Sequence, residues 1–343
     1  MRCLRINKGL FLLLFALSTC TVSFAQKFNY ENLIFEGAGI RGIAYAGVIK
    51  VLEQEQMMPQ IKKVGGTSAG AITALMVAIG YTADEIETII AATKFQKFND
   101  GKYFFIGGLS RVNKRYGWYR GERFTRWLEA LIEQKTGNKD ITFAQLHQNG
   151  YKDLYVTATS LSQQKMVVLS ADNFPNMKVK DAIRISMSIP LYFQAVFIDS
   201  MGNIYHKPCR GKALEVMVDG GIVGNFPIQI FDSIAIDEHQ KEYRIANPKT
   251  LGVRIDSDAQ IKNDRIDQKL APYKIERFSD YVGSFYTIII ENLNRHALTK
   301  EDWSRTISVS SVGIGSKIRK LSQEEKNRLV QSGTQNTIRF LNP

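Results

Sequence analysis

The chain has 343 residues, 44% of them hydrophobic and 23% charged, which excludes a disordered or fibrous protein and fits one large globular domain or two small ones. With 45 Lys and Arg against 33 Asp and Glu the formal net charge is +12, a sign that suits anionic surfaces, lipid or nucleic acid, without choosing between them.

At the N-terminus Arg2, Arg5 and Lys8 precede the apolar run Leu10 to Leu17, and Ser23-Phe24-Ala25 follows with small residues at two positions that a signal peptidase reads. The apolar run is too short to cross a bilayer, so residues 1–25 are expected to be a secretory signal peptide cleaved after Ala25. Residues 26–343 then form one mature domain, exported to the periplasm, the outer membrane or the medium. The alternative is a lipidation box ending at Cys20, for which Thr19 is a poor fit. Cleavage after Ala25 leaves Cys209 alone, so no intrachain disulfide is expected and the core must hold the fold.

The run Asn32 to Glu36 reads as a buried strand that meets Gly37-Ala38-Gly39-Ile40-Arg41-Gly42, and Ile40 to Gln56 has the apolar spacing of an amphipathic helix. These glycines match the dinucleotide pattern G-x-G-x-x-G, but that pattern needs an acid ending the next strand, and the next strand ends in Gly65-Gly66-Thr67-Ser68. Nucleotide binding is therefore rejected. What the turn offers is a set of unpaired backbone N–H groups, the kind of donor that holds an oxyanion.

Ile61 to Leu75 is a short apolar strand running through Gly66-Thr67-Ser68-Ala69-Gly70 into a helical run. G-x-S-x-G needs small residues beside the serine, because the strand-to-helix turn is sharp, and it lifts the hydroxyl of Ser68 above the sheet edge at a helix N-terminus.

Between Lys94 and Trp127 nine basic residues face two acids, and aromatic residues are interleaved with them. Two readings stand: the rings pack under the sheet, or Gly101 to Tyr119, hinged at Gly107 and Gly108, forms a mobile flap that docks on an anionic membrane surface. Further on, Leu154 to Thr159 and Met166 to Leu169 read as paired strands, and Val179 to Ser188 as a helix stopped by Pro190. Glu215 to Asp219 reads as a strand running into Gly220 and Gly221, so that Asp219 is either presented at the sheet edge or held in an Asx turn. Leu251 to Ile255 is a further strand, Ala259 to Asp280 a polar surface excursion, Phe285 to Leu298 a candidate amphipathic helix, and Ser322 to Glu325 the capping box of a last helix. Alternating strands and helices favour a mainly parallel sheet.

Together these motifs resemble the patatin-like phospholipases over nearly all of the mature chain. Gly37-Ala38-Gly39-Ile40-Arg41-Gly42 is similar to the glycine-rich oxyanion loop, Gly66-Thr67-Ser68-Ala69-Gly70 to the nucleophile elbow, and Asp219-Gly220-Gly221 to the D-G-[AG] motif. Gly117 to Phe124, Asp181 to Pro190 and Asn225-Phe226-Pro227 add to the likeness, and Ala38 departs from it where the family usually has glycine. The resemblance implies a three-layer α/β/α fold with a mainly parallel central sheet and a Ser68–Asp219 dyad, with N–H groups around Gly39, Ile40 and Arg41 as oxyanion donors. It implies a lipid ester as substrate and no metal or diffusible cofactor. Arg41 either adds to the positive field of the loop or is solvated at the helix start. A conventional triad stays open through His239 or His296, which follow Asp219 in the chain. For an exported ester hydrolase nucleic acid is not an expected partner. The alternative from another class is a catalytically silent lipid- or partner-binding protein that keeps the fold.

Overall fold

The computed structural model describes residues 28–101, 104–264, 298–316 and 319–342, with isolated residues and short stretches between 266 and 295. The expected signal peptide, Cys20 and most of the expected Phe285 to Leu298 helix lie outside the described residues.

In chain order the strands are β1 (Asn32–Phe35), β2 (Lys63–Gly66), β3 (Gly117–Tyr119), β4 (Asp153–Ser160), β5 (Lys165–Leu169), β6 (Leu191–Phe193), β7 (Val196–Ile198), β8 (Ile204–Tyr205), β9 (Glu215–Asp219), β10 (Ser233–Ile236), β11 (Glu242–Ile245), β12 (Thr250–Asp256) and β13 (Thr306–Ser310). The central sheet has the order β13-β12-β1-β2-β4-β9-β7-β8, with β5 also on β4. From β13 to β4 every ladder is parallel, whereas β5, β9, β7 and β8 join antiparallel. The result is a mixed, mostly parallel sheet flanked by helices. Parallel strands buried on both faces need continuous apolar runs, and β1 supplies one: Leu33 and Phe35 enter the main core while Ile34 enters a smaller cluster with Phe226 and Ile228 on the other face. Each such side chain contributes about 1.5–3 kcal/mol on full burial.

The helix Ala69–Ala78 is buried from Gly70 onward, all round, and it crosses the sheet behind β1, β2 and β4. That position holds its N-terminus at the C-terminal ends of the parallel strands, where open α/β sheets bind their ligands. The last helix, Gln323–Leu341, starts with the expected capping box between Ser322 and Glu325 and packs along the helix Ala44–Gln54.

Several expectations change in detail. The segment after the first strand opens as a 3-10 turn, Gly39–Ile43, and becomes α-helical only at Ala44; the later helix ends at Ser186, two residues early. Ala259 to Asp280 is not simply a surface excursion, because Asp258–Asp264 is a helix whose Gln260 and Asp264 are buried, with Asp264 paired to Arg295. Gly107 and Gly108 are not a hinge: the helix Phe104–Arg115 runs through both, and a Cβ at Gly108 would lie 2.5 Å from the Trp118 indole. Gly108 is small so that Trp118 can pack against it. Arg111 also donates through Nε to the Trp118 carbonyl at 2.7 Å, which ties the helix to β3, and β3 in turn pairs with β6. Among the aromatics, Phe95, Phe98 and Trp127 pack with Phe124 as the core reading expects.

Candidate active site

The turn after β2 is built around a strained residue. Ser68 has φ 52 and ψ −120, a region that costs a residue with a side chain on the order of 1–3 kcal/mol unless its surroundings impose it. Three bonds impose it here: Gly70 N–H to Thr67 O at 2.7 Å, Ser68 N–H to Ser186 Oγ at 2.8 Å, and Thr67 Oγ1 to Gly224 O at 2.7 Å. A Cβ at Gly66 would lie 2.6 Å from the Gly70 carbonyl, and one at Gly70 would lie 2.4 Å from the carbonyl oxygens of Phe35 and Glu36. The flanking glycines are thus required by close approach of backbone to backbone. The Ser68 hydroxyl, 8% exposed, donates to Met187 Sδ at 3.3 Å, a weak acceptor from which it is readily turned.

Asp219 ends β9, opposite Ala158 of β4, and its N–H donates to Ser188 O at 2.9 Å. Its Oδ1 accepts from Gly221 N–H at 2.7 Å, the Asx-type bond that the following glycines make available. Both readings of this motif therefore hold at once, since the carboxylate is turned by Gly221 and still presented at the sheet edge. Oδ2 is buried without a hydrogen-bond partner of ordinary geometry, and the Ser68 side chain is close enough to bear on its proton affinity. Burial pushes the Asp219 carboxyl up to about 7, against the opposing pull of the Gly221 N–H and of Ser68.

The glycine loop follows β1 and leans on the turn of Ser68, with the position of a Gly42 Cβ only 3.2 Å from Ala69 Cβ. Of its N–H groups, that of Gly37 donates to Asn225 O at 2.9 Å, that of Ile40 to Ser316 O at 3.3 Å, and that of Arg41 to Ala38 O at 3.2 Å. The Ala38 and Gly39 N–H groups have no acceptor among the described residues, and neither has that of Ala69, the residue after Ser68. Ala38 is buried, whereas Ala69 is half-buried and Gly39 exposed, so these N–H groups can be reached from outside, and N–H groups free of internal acceptors mark where an anionic atom is welcome. Gly39 takes φ +55, which only glycine adopts at little cost. Arg41 is not solvated: it is buried, with its Nε on the Ala38 carbonyl at 3.1 Å, where it shapes the loop.

The described histidines stand away from this site. His147 is bound to Asp153 at 2.6 Å at the opposite end of β4, and His239, 82% exposed, lies in the turn between β10 and β11 next to Glu238. His206 is exposed after β8, and His296 lies outside the described residues. Among the described residues no group of three or more His, Cys, Asp and Glu is placed to hold a metal. Ser186, Met187, Ser188 and Asn225 were legible beforehand only as parts of similar segments, because nothing in their local spacing announces a contact with Ser68, Asp219 or Gly37.

A hollow of about 330 Å³ is lined by Tyr116, Leu161, Pro190, Leu191, Val216 and Val218, the two valines standing on the face of β9 opposite to that of Asp219. Its rim carries large apolar surface, Leu191 being 68% exposed. A larger hollow, about 480 Å³, sits at the outer edge of the sheet around Trp303, Thr306 and Arg339, far from Ser68 in the strand order.

Comparison with known proteins agrees with this geometry. The protein described as Uncharacterized protein YqhO of Bacillus subtilis is 34% identical over 212 residues, which span 59% of this chain and 67% of that protein. The Probable lipid hydrolase 463L of Invertebrate iridescent virus 6 is 26% identical over 216 residues, 62% of this chain and 66% of that one. Among solved structures, VipD from Legionella pneumophila superposes with a TM-score of 0.57 at 14% identity, over 92% of this chain and 67% of that one, a likeness of fold. The family model for patatin-like phospholipase matches residues 33–232, a span that takes in the glycine loop, Ser68 and Asp219. With more than half of its length so matched, the chain belongs to the patatin-like phospholipase family.

Proposed function

We propose that the chain is a serine acyl hydrolase of lipid esters in which Ser68 is the nucleophile and Asp219 its base. The observation that carries the reading is the unpartnered Oδ2 of Asp219, buried beside a serine held in a strained turn. Ser68 Oγ attacks the ester carbonyl carbon while its proton passes to Asp219, and the carbonyl π pair moves onto oxygen. The N–H groups of Ala38 and Gly39, with Ala69 across from them, are free to hold that oxyanion, so the donor set is drawn toward the start of the loop. As the tetrahedral intermediate collapses, the leaving alkoxide takes the proton from Asp219 and an acyl ester remains on Ser68. Water then attacks this ester, gives its proton to Asp219, and the second collapse returns the fatty acid and the serine hydroxyl. A base with its pKa near 7 suits this work at neutral pH.

Lipid as substrate follows from the family and from the relative described as a probable lipid hydrolase. Export with cleavage after Ala25, and contact with an anionic membrane, belong to the same proposal. Tyr116, Leu161 and Leu191 expose apolar surface at the rim of the hollow of about 330 Å³, and Lys114 and Arg115 directly precede Tyr116 in the chain. At about 1 kcal/mol for each basic residue near such a membrane, replacing Lys114 and Arg115 by Gln should weaken binding to phosphatidylserine vesicles roughly thirtyfold at low salt, while hydrolysis of a soluble ester is unchanged. Equal vesicle binding by wild type and variant refutes the membrane face.

The catalytic reading is tested by labelling with a serine-directed fluorophosphonate and by hydrolysis of a short-chain nitrophenyl ester. Wild type should be labelled and active, and Ser68→Ala should be neither. A folded wild type that takes no label and cleaves no ester would instead favour the silent lipid-binding protein.

A further inference from the structure

One short helix touches all three motifs. Gly221–Gly224 begins where Gly221 N–H meets Asp219 Oδ1, and it ends where the Gly224 carbonyl accepts the Thr67 hydroxyl at 2.7 Å. The next residue, Asn225, is joined to the glycine loop in both directions. Gly37 N–H donates to Asn225 O at 2.9 Å, and Asn225 Nδ2 donates to Gly37 O at 3.1 Å. Nδ2 also reaches Glu36 Oε1 at 3.3 Å, and Glu36 is itself held by Arg254 at 3.1 Å and by Ile255 N–H at 3.2 Å. The Asn225 side chain occupies the volume that any residue but glycine would need at position 37, where a Cβ would lie 2.2 Å from Asn225 Oδ1.

Few side chains satisfy this arrangement. A primary amide donates two hydrogens from one nitrogen, which matches the Gly37 carbonyl and the Glu36 carboxylate. Aspartate has the shape but no donor, and it sets a second carboxylate against Glu36; alanine has neither the reach nor the donor. At 5% exposure no water replaces the lost bonds freely.

We propose that Asn225 is a positioning residue that sets the Gly37–Gly42 loop, and with it the Ala38 and Gly39 donors, against Ser68 and Asp219. It acts through Gly37 and touches no reacting atom in the mechanism. The inference rests on the Ser68–Asp219 reading and deepens it: loop, elbow and acid are held in register by one short segment, Gly221 to Asn225, in which Asn225 supplies the link to the loop. Oxyanion donors are sensitive to such register, since loss of one costs on the order of 10²–10³ in rate, and a displaced donor keeps part of that.

The test compares wild type with Asn225→Asp and Asn225→Ala, each rate being divided by the concentration of sites titrated with fluorophosphonate, so that unfolded molecules drop out. Per titrated site, kcat for the nitrophenyl ester should fall about tenfold to a hundredfold in both variants. KM should stay within about threefold, and the acidic limb of the kcat/KM profile should stay near pH 7, because Asp219 keeps its Gly221 bond and its burial. Wild-type kcat per titrated site overturns the proposal and leaves Asn225 a merely structural role, as does failure of both variants to fold. A shift of the acidic limb that accounts for the lost rate also overturns it, by assigning Asn225 to Asp219 instead. A wild type that takes no label at Ser68 defeats the catalytic reading itself, an outcome distinct from all of these.

Discussion

Asp219 and Asp302 are both buried carboxylates, and they are driven in opposite directions. Burial raises each of them in the first place. At Asp302 hydrogen bonds from Arg244, at 2.8 and 2.5 Å, and from Arg305, at 2.6 Å, more than cancel that effect and hold the carboxyl at about 2. Asp232 completes this cluster by receiving both arginines from its other side, and Thr299 N–H caps Asp302 at 2.9 Å. At Asp219 only a backbone N–H and a serine hydroxyl oppose burial, and the carboxyl rises to about 7. A paired acid ties segments together, here the β10–β11 hairpin to the helix Lys300–Ser304. An acid left without a cation is costly to ionise and correspondingly ready to take a proton, which is the property a base requires.

The largest expected effect breaks the paired side. Asp302→Ala leaves Arg244 and Arg305 with one carboxylate between them in a buried site, and breaking such a cluster typically costs about 3–5 kcal/mol. Denaturant titration should show that loss, while ester hydrolysis per folded molecule stays at the wild-type level. If activity falls with stability, the two regions are not separable.

Next in size is loss of the unpaired acid. Asp219→Asn keeps the shape and removes the proton acceptor, and loss of a positioned base costs on the order of a hundredfold or more in rate. In wild type kcat/KM should rise with pH and level off above about 7, the ionised carboxylate being the active form. A profile already flat from pH 5 to 9 would remove Asp219 from the role of base.

The smallest effect has the most specific sign. The folded pKa of Asp219 lies above its unfolded value of about 3.8, so the folded protein binds the extra proton between these values, and its stability should fall as pH rises from about 4 to 7. Asp302 is depressed instead; its stabilisation is complete above about 4 and is lost as pH falls toward 2. Thermal melting should therefore find Asp219→Asn more stable than wild type at pH 8, with the gap closing toward pH 4. An asparagine variant that melts lower at pH 8 would show that the ionised carboxylate is stabilised by something other than Gly221 and Ser68.

The three motifs were legible in the sequence because each is a short run of residues that carries its own signature. A serine turned sharply between strand and helix needs Gly66, where a Cβ would meet the Gly70 backbone, although Gly70 and Gly220 are small because Phe35, Glu36 and Thr157 approach them from elsewhere in the chain. The order of strands and helices, the mostly parallel sheet and the capping box at Ser322 come from the same kind of local pattern. The reading of Gly107 and Gly108 as a hinge failed because two adjacent glycines look alike whether a chain bends there or an indole packs against them; Trp118, ten residues beyond Gly108, decides it.

Tertiary structure alone decided what the motifs do to one another. Thr67 bonds to Gly224 across 157 residues, Asn225 to Gly37 across 188, and Ser68 to Ser186 across 118. No window of sequence contains both partners of such a bond. Which N–H groups of the glycine loop are already used, and whether a given aspartate is paired or left near neutrality, depend on the neighbours that folding assembles around each group. Hydrogen-bond satisfaction and proton affinity are properties of that surrounding volume, whereas helix, strand and turn preferences are properties of the chain.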